Sequence, residues 1–551
     1  MITPEAEQTL SVYPPLLRQL LFNRDIQTPE QAIRYLQAQA PPGTQPENLL
    51  SMPEAVERIQ AAIKNLEAIA IYGDYDADGV TATALLVSAL QRAGANVSGY
   101  IPNRFDEGYG LNIEALSNLK EQGVKLVITV DCGMRSIEEA EHARQIGLDL
   151  IITDHHHPTA EIPPALAIIN PKQPGDMYPD KNLAGVGLAY KLATAVYEDP
   201  SLTAEYLDLV ALGTVADLAP LVGENRCLVR AGLEQIRRPR RQGVMALIGA
   251  SGLRPDRINA GDIGYTLGPR LNAAGRLESA LAALQLLLSQ DVYAAASLAQ
   301  KLDSQNRERQ QITREIQAQA EQIALTENPD ALLLFAADPG FNPGVVGLAA
   351  SRLTEVYYRP SIVAFYGEQY TRGSCRSIPE FHITDALDRC ADLLVRHGGH
   401  AAAAGFTVRN ENLPELRRRL QELAEQELGG MVLRPVLRAD METPLTELKP
   451  ELLRYIEVLQ PTGFGNRQAH FISRDLKLTS YRQIGKEGKH LRLVVSDGRI
   501  TYDAVAFNQG YWADAMPTAI DILYSYEVNE YNGRTNLQLN VRDLKPAGLG
   551  D

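Results

Sequence analysis

Short apolar runs alternate with helix-forming stretches from about Ser51 onward, and this alternation predicts a parallel sheet with helices on its faces. Ala68–Tyr72, Val97–Ile101, Val124–Val130 and Leu148–Thr153 have the composition of buried strands. Helices are expected over Pro53–Leu66, Thr81–Ala93 and Ile113–Gln122. Asp291–Leu325 reads as a single helix of about 35 residues, near 50 Å long. Its apolar stripe (Leu298, Leu302, Ile312, Ile316, Ile323) is interrupted by the polar stretch Asp303–Gln311, which favours a connector between domains over a coiled coil. A second α/β unit starts at Ala331–Ala336 and runs to about Gly430. Between Leu437 and Leu544 the runs shorten, with turn signals at Asp497-Gly498 and Asn532-Gly533, as in a small β-barrel.

The expected fold class is therefore α/β with a C-terminal barrel. The boundaries are an N-terminal extension (1–50), a parallel-sheet domain (51–290), a connecting helix (291–328), a second α/β domain (329–432) and the barrel (433–551). The extension has Pro14-Pro15 and Pro41-Pro42 around short amphipathic helices, and its sequence assigns it no chemistry.

At 551 residues the chain is too long for one core. It has no apolar run long enough for a membrane span, and its first residues do not form a secretory signal, so a cytoplasmic protein without membrane contact is expected. Four scattered cysteines without a C-x-x-C pair speak against a disulfide framework or a zinc site. The net charge of −15 weighs against a polyanionic partner, but basic residues cluster at Arg237–Arg241, Arg417–Arg419 and Arg482–Arg499.

The candidate chemistry sits where apolar runs end. Ala68–Tyr72 leads into Gly73–Gly79, with Asp74, Asp76 and Asp78 at every second position. Like charges about 4 Å apart repel by roughly 4 kcal/mol at an effective dielectric near 20, so three such carboxylates need solvent or a cation. Val124–Val130 runs into Asp131, and Leu148–Thr153 into Asp154-His155-His156-His157. Asp217 is the one charge in the apolar stretch Leu209–Pro220. Asp131 alone could be a helix cap and the histidines a chance run. Ligand sites of open parallel sheets lie beyond the carboxyl ends of the strands, however, and there all these groups could converge.

GDYDADGVTATALL, VDCG, TDHH, ALGTVADLAPL, LGPRLNAAGRLESA, GVVGLAASRLTE and GGHAAAAGF occur in an order that resembles the DHH phosphoesterase superfamily, and within it the bacterial RecJ exonucleases. The resemblance covers roughly residues 50–545. It implies a DHH domain, a DHHA1-like second domain and an OB-type barrel. It also implies two Mn2+ or Mg2+ ions held by Asp74, Asp76, Asp78, Asp131, His155 and Asp217. Asp131 would bridge the ions, Asp154 would orient His155, and His156 would meet the scissile phosphate. Asn272, Arg276, Ser374, Arg376, Gly398, Gly399 and His400 would bind substrate, although GGHAAAAG read by itself also suits tight helix packing. Tyr481, Arg482, Lys489, His490 and Arg492 suit stacking and phosphate contact on the barrel. The pattern departs at Cys375 and Glu380, where relatives commonly have glycine.

The implied activity is 5′-to-3′ hydrolysis of single-stranded DNA to 5′-mononucleotides in DNA repair and recombination. A single-strand-binding protein and a helicase are the expected partners. The rival readings are a DHH phosphodiesterase for short RNA or cyclic dinucleotides, and a non-catalytic replication scaffold.

Overall fold

The computed structural model describes residues 2–103, 110–197, 199–531 and 534–548. The apolar runs Ala68–Tyr72, Val124–Val130 and Leu148–Thr153 become buried strands, as parallel sheets require, while the edge strand around Val97 is partly exposed. β1 (Ala68–Gly73), β2 (Asn96–Tyr100), β3 (Val124–Val130), β4 (Asp149–Thr153) and β5 (Ala167–Ile169) form an all-parallel sheet in the order β2-β1-β3-β4-β5. The order reverses between β1 and β3, which is where a ligand crevice opens. Asp74 follows β1 and Asp131 follows β3 directly, so the reversal alone brings these two acids side by side. The helix Ala77–Arg92 is buried along nearly its whole length, packed against Gly185–Tyr197 and Leu207–Ala216.

In the second unit, β6 (Leu334–Asp338), β7 (Ser361–Tyr366), β8 (Tyr370–Arg376), β9 (Leu394–His400) and β10 (Ala403–Arg409) take the order β6-β7-β8-β10-β9. Alternation along the strands supplies both faces with core. Ile362 and Cys375 pack toward the helix Leu413–Leu428, and Val363 packs toward Val346–Tyr357.

The last unit comprises β11 (Met441–Glu442), β12 (Phe471–Ile484), β13 (His490–Ser496), β14 (Thr501–Ala506), β15 (Ala519–Tyr531) and β16 (Arg534–Pro546). Pairing of β12 with β15 closes β12 to β16 into a five-stranded barrel of the expected OB type. The expected turn at Asn532-Gly533 lies outside the described residues.

The long helix spans Val292–Glu327, capped by Asp291, whose side chain accepts from Ala294 N at 2.7 Å. Its polar middle is buried along one face, at Asp303, Gln305 and Asn306, and exposed along the other. Asp303 pairs with Arg270 at 2.9 Å, and Asn306 is 2% exposed. The apolar interruption is thus a polar seam against the helix Gly268–Leu277, while Ala295–Leu302 joins the first core and Ile316–Ala324 the second.

Residues 1–50 are more than an extension. Their helices Pro4–Thr9, Pro15–Phe22 and Pro29–Gln37 dock on the barrel unit: Leu20 enters its core with Leu445, Leu459 and Phe471, and Asn23 Nδ2 donates to Asp440 O at 2.7 Å. Arg226, from the helix Gly223–Ile236, ties this assembly to the first unit. It is 2% exposed, donates to the carbonyls of Leu459 (2.8 Å), Pro461 (3.1 Å) and Val458 (3.1 Å), and lies 4.0 Å over the Tyr35 ring. A planar fork of donors is the side chain that can serve several carbonyls and a ring at once. No described helix is long and apolar enough to cross a membrane.

Candidate active site

The turn after β1 is tighter than the sequence reading expects. The helix begins at Ala77 rather than Thr81, so Asp76 is its N-cap and Asp78 lies in its first turn. Asp76 Oδ1 accepts from Asp78 N (2.9 Å) and Gly79 N (3.1 Å), and Asp74 Oδ1 accepts from Tyr75 N (2.8 Å). Gly79 is required because a Cβ there would lie 2.5 Å from the Asp74 carbonyl oxygen. The helix Gly268–Leu277 buttresses this turn: Asn272 Oδ1 accepts from Ala77 N at 2.7 Å, and Gly275 leaves room for the Tyr75 carbonyl. Asp78 is fully buried, its oxygens accepting from Gly185 N (2.7 Å) and Val186 N (2.8 Å) at the positive end of the helix Gly185–Tyr197.

Asp131 has φ +62°, a left-handed conformation unusual for a non-glycine residue and common at functional sites. His155 Nε2 lies 3.0 Å from Asp131 Oδ1, 3.7 Å from Asp217 Oδ2 and 4.0 Å from Asp78 Oδ2. Three overlapping sets result, each with its ligand atoms within 4.8 Å of one another: Asp74, Asp76 and Asp131; Asp78, His155 and Asp217; and Asp131, His155 and His156. Asp131 belongs to two of them, and every sequence-predicted metal ligand belongs to at least one.

The electrostatics are those of a cation site. Burial first, and then the charge of Asp76, pushes Asp78 up to about 7, while burial followed by Asp78 and Asp76 pushes Asp217 up to about 9. Burial and the surrounding acids raise Asp131 well above the carboxylate range. Burial drives His155 down to about 3, so its imidazole is neutral. Asp131 Oδ1 and His155 Nε2 are both buried without a hydrogen-bond partner although they are 3.0 Å apart. A carboxylate oxygen and an imidazole nitrogen left unpaired inside a cluster of buried acids are ligand atoms that a cation would take, and carboxylates with few imidazoles fit Mn2+ or Mg2+ better than zinc.

One expected contact is corrected. Asp154 engages His156 rather than His155: Oδ1 meets His156 Nδ1 at 2.7 Å, while Oδ2 accepts from Met134 N at 2.8 Å. Burial works to raise Asp154, but the hydrogen bond to His156 and the His156 charge hold it below its ordinary value. His155 is anchored through its backbone, whose carbonyl accepts from Lys172 Nζ at 2.5 Å, and Asn170 Nδ2 holds the His156 carbonyl at 2.9 Å. The sequence reading passed over both residues, although Asn170-Pro171-Lys172 directly follows β5 and so marks one more strand end.

The substrate-binding candidates divide. Arg276 Nη1 donates to Gly344 O at 3.3 Å, linking the two α/β units beside the acids. Asn272 spends its side-chain oxygen on the aspartate turn. Arg376 Nη1 donates to Cys375 O (2.8 Å) and Ser374 Oγ (3.3 Å), and both side chains face Gly347 at the start of the helix Val346–Tyr357. Cys375, on the opposite face of β8, points into the core, and Glu380 accepts from Tyr358 OH at 3.2 Å, so neither departure alters the Ser374 and Arg376 face. Gly398, Gly399 and His400 form an edge hairpin with Ala403–Gly405, not packed helices; a Cβ at Gly399 would lie 2.3 Å from Ala403 O. On the barrel, Tyr481 is exposed, His490 stands edge-on to Phe507 and Arg492 pairs with Asp503. Arg418 and Arg419 are paired with Glu415, and Arg241 with Asp208, as on structural faces.

A parallel sheet with acids and histidines at its carboxyl ends, joined to a second α/β unit, defines a DHH-type catalytic pair. Family models agree: the DHH family N-terminal domain matches residues 68–214, the DHHA1 domain 330–426 and the RecJ OB domain 439–543. The single-stranded-DNA-specific exonuclease RecJ of Salmonella typhimurium is 35% identical over 98% of both chains. That of Bacillus subtilis is 40% identical over 96% of this chain and 68% of its own. The structure of RecJ from Thermus thermophilus in complex with Mn2+ superposes with a TM-score of 0.84 at 30% identity, covering 99% of this chain and 78% of that one. A Mg2+ complex of the same relative gives 0.78 at 29% identity. The chain belongs to the RecJ family.

Proposed function

We propose that this chain is a single-strand-specific exonuclease that hydrolyses DNA from the 5′ end and releases 5′-mononucleotides, in repair and recombination. The observation that carries the reading is the convergence of buried ligand atoms, Asp131 Oδ1 and His155 Nε2, 3.0 Å apart with Asp78 and Asp217 around them. The Thermus relative is described in complex with Mn2+ and with Mg2+, and two such ions would supply Lewis acidity and activate water here. Asp74 and Asp76 would hold one of them, and Asp78, His155 and Asp217 the other. Asp131 would serve both. His156, fixed by Asp154, offers its outer nitrogen to a phosphate oxygen. Arg276, Ser374 and Arg376 grip the 5′ phosphate, assisted by the Asn272 amide and the Gly398, Gly399 and His400 edge. The cytoplasm is the expected compartment, with a single-strand-binding protein and a helicase as partners.

The test is a time course on 5′- and 3′-labelled single strands in Mn2+, beside the matching duplex. A 5′ label released at once as mononucleotide is expected, with the duplex resistant. Early release of the 3′ label overturns the polarity. No cleavage of long strands alongside turnover of short RNA or cyclic dinucleotides moves the chain to that class, and inertness toward all of them makes it a scaffold.

Asp154→Asn should lower kcat/KM about tenfold, because the carboxylate that orients His156 is gone while every metal ligand stays. The Mn2+ dependence should be unchanged, which distinguishes orientation of His156 from a damaged metal site.

A further inference from the structure

Three large apolar side chains stand in solvent around the segment that carries Asp217, each contributed by a different stretch of chain. Leu218 is 67% exposed with φ +60°, Phe464 is 63% exposed and Tyr265 is 89% exposed. Single exposed hydrophobic residues are ordinary, but a left-handed leucine next to a metal-site acid is not.

Their places are fixed from both sides. Phe464 O accepts from Leu221 N at 2.7 Å, and its neighbours press so closely that a Cβ at Gly463 would lie 2.8 Å from Leu221 Cδ1 and one at Gly465 2.9 Å from Pro220 Cβ. On the other side, Tyr265 rides on a π-helical turn, Ile263–Leu267, a rare element that gathers at functional sites. That turn abuts the helix ending at Ala216: a Cβ at Gly264 would lie 3.8 Å from Val215 Cγ1, and one at Gly268 2.9 Å from Ala216 Cβ. Asp217 follows Ala216 directly, so two different units approach the Asp217 stretch from its two ends: the catalytic unit with the Tyr265 turn against Val215 and Ala216, and the barrel unit with the Phe464 segment against Pro220 and Leu221.

Resting on the nuclease reading above, we propose that Tyr265 and Phe464 are base-stacking residues that hold nucleobases on either side of the scissile phosphodiester, with Leu218 as an apolar floor between them. Every base has a π-face, so the contact is tolerant of sequence. Bases already stacked in a duplex gain little from it, so the same residues favour single strands.

The test measures KM and kcat for Phe464→Ala and Tyr265→Ser on oligonucleotides whose 5′-terminal nucleotides either carry bases or are abasic, with the Mn2+-induced melting shift recorded for each variant. On base-bearing strands KM should rise about tenfold per ring removed, and on abasic ends that penalty should shrink to about twofold or less. Phe464→Trp and Tyr265→Phe should restore the normal KM. Equal penalties on both substrates, or none, overturn the inference. If Phe464→Ala does not fold, Tyr265→Ser decides the matter, since its ring stands in solvent. A wild-type protein that cleaves neither strand overturns the nuclease reading itself, a result distinct from flat variant ratios in an active enzyme.

Discussion

Asp131→Asn is expected to lower hydrolysis of single-stranded DNA by about 10^3-fold or more and, in EDTA, to raise the melting temperature by a few degrees. The activity loss follows from position, since Asp131 is the acid shared between the two flanking ligand sets. The stability gain follows from charge. Without a cation, burial and the neighbouring acids Asp78, Asp76, Asp217 and Asp74 disfavour an ionised Asp131, so folding must either force a proton onto it or hold its charge beside theirs. The amide carries neither cost and keeps the shape. Scanning fluorimetry with and without Mn2+ checks both halves: the wild type should gain stability on adding metal, and the variant should gain much less. A variant less stable than wild type in EDTA would show that hydrogen bonds, not a cation, hold the cluster together.

Gly185→Ala should cost about 10^2-fold in kcat/KM although it touches no ligand's chemistry. A Cβ at Gly185 would sit 2.6 Å from Asp131 Cβ and 2.8 Å from its Oδ1, and the same residue's N–H holds Asp78. The methyl therefore displaces two ligands at once, and displacements of about 1 Å are worth that much. Overpacking adds about 1 to 3 kcal/mol of destabilisation. Gly249, where an added Cβ meets open space, is the control. Wild-type kinetics for Gly185→Ala would mean that the ligand geometry is looser than the close approach implies.

The sheet was legible because its strands are uninterrupted apolar runs and its ligands sit at their ends, a signal carried by neighbouring residues. The convergence of the acids with His155 was legible for the same reason, with Asp217 visible as a lone charge in the apolar stretch Leu209–Pro220. What escaped depends on contacts between distant segments. Nothing near Asp154 says which histidine it will orient, because both follow it within two residues and the choice rests on Asn170 and Lys172 holding their backbones. The early start of the helix at Ala77 depends on Asn272, 195 residues away. β12 extends well past Ile472 because its outer half is exposed barrel wall, where polar residues hide the pattern. The polar middle of the long helix gives no sign of its buried face because the partner of Asp303, Arg270, lies in another element.

The docking of the first helices on the barrel sets a timetable for synthesis. Asn23 meets Asp440 across 417 residues of chain, so at ordinary elongation speeds the amino-terminal helices wait roughly 20 to 80 seconds before their partner leaves the ribosome. Until then the apolar side of Leu20 has no home, and a nascent chain carrying a finished nuclease sheet still lacks the clasp that closes on Arg226.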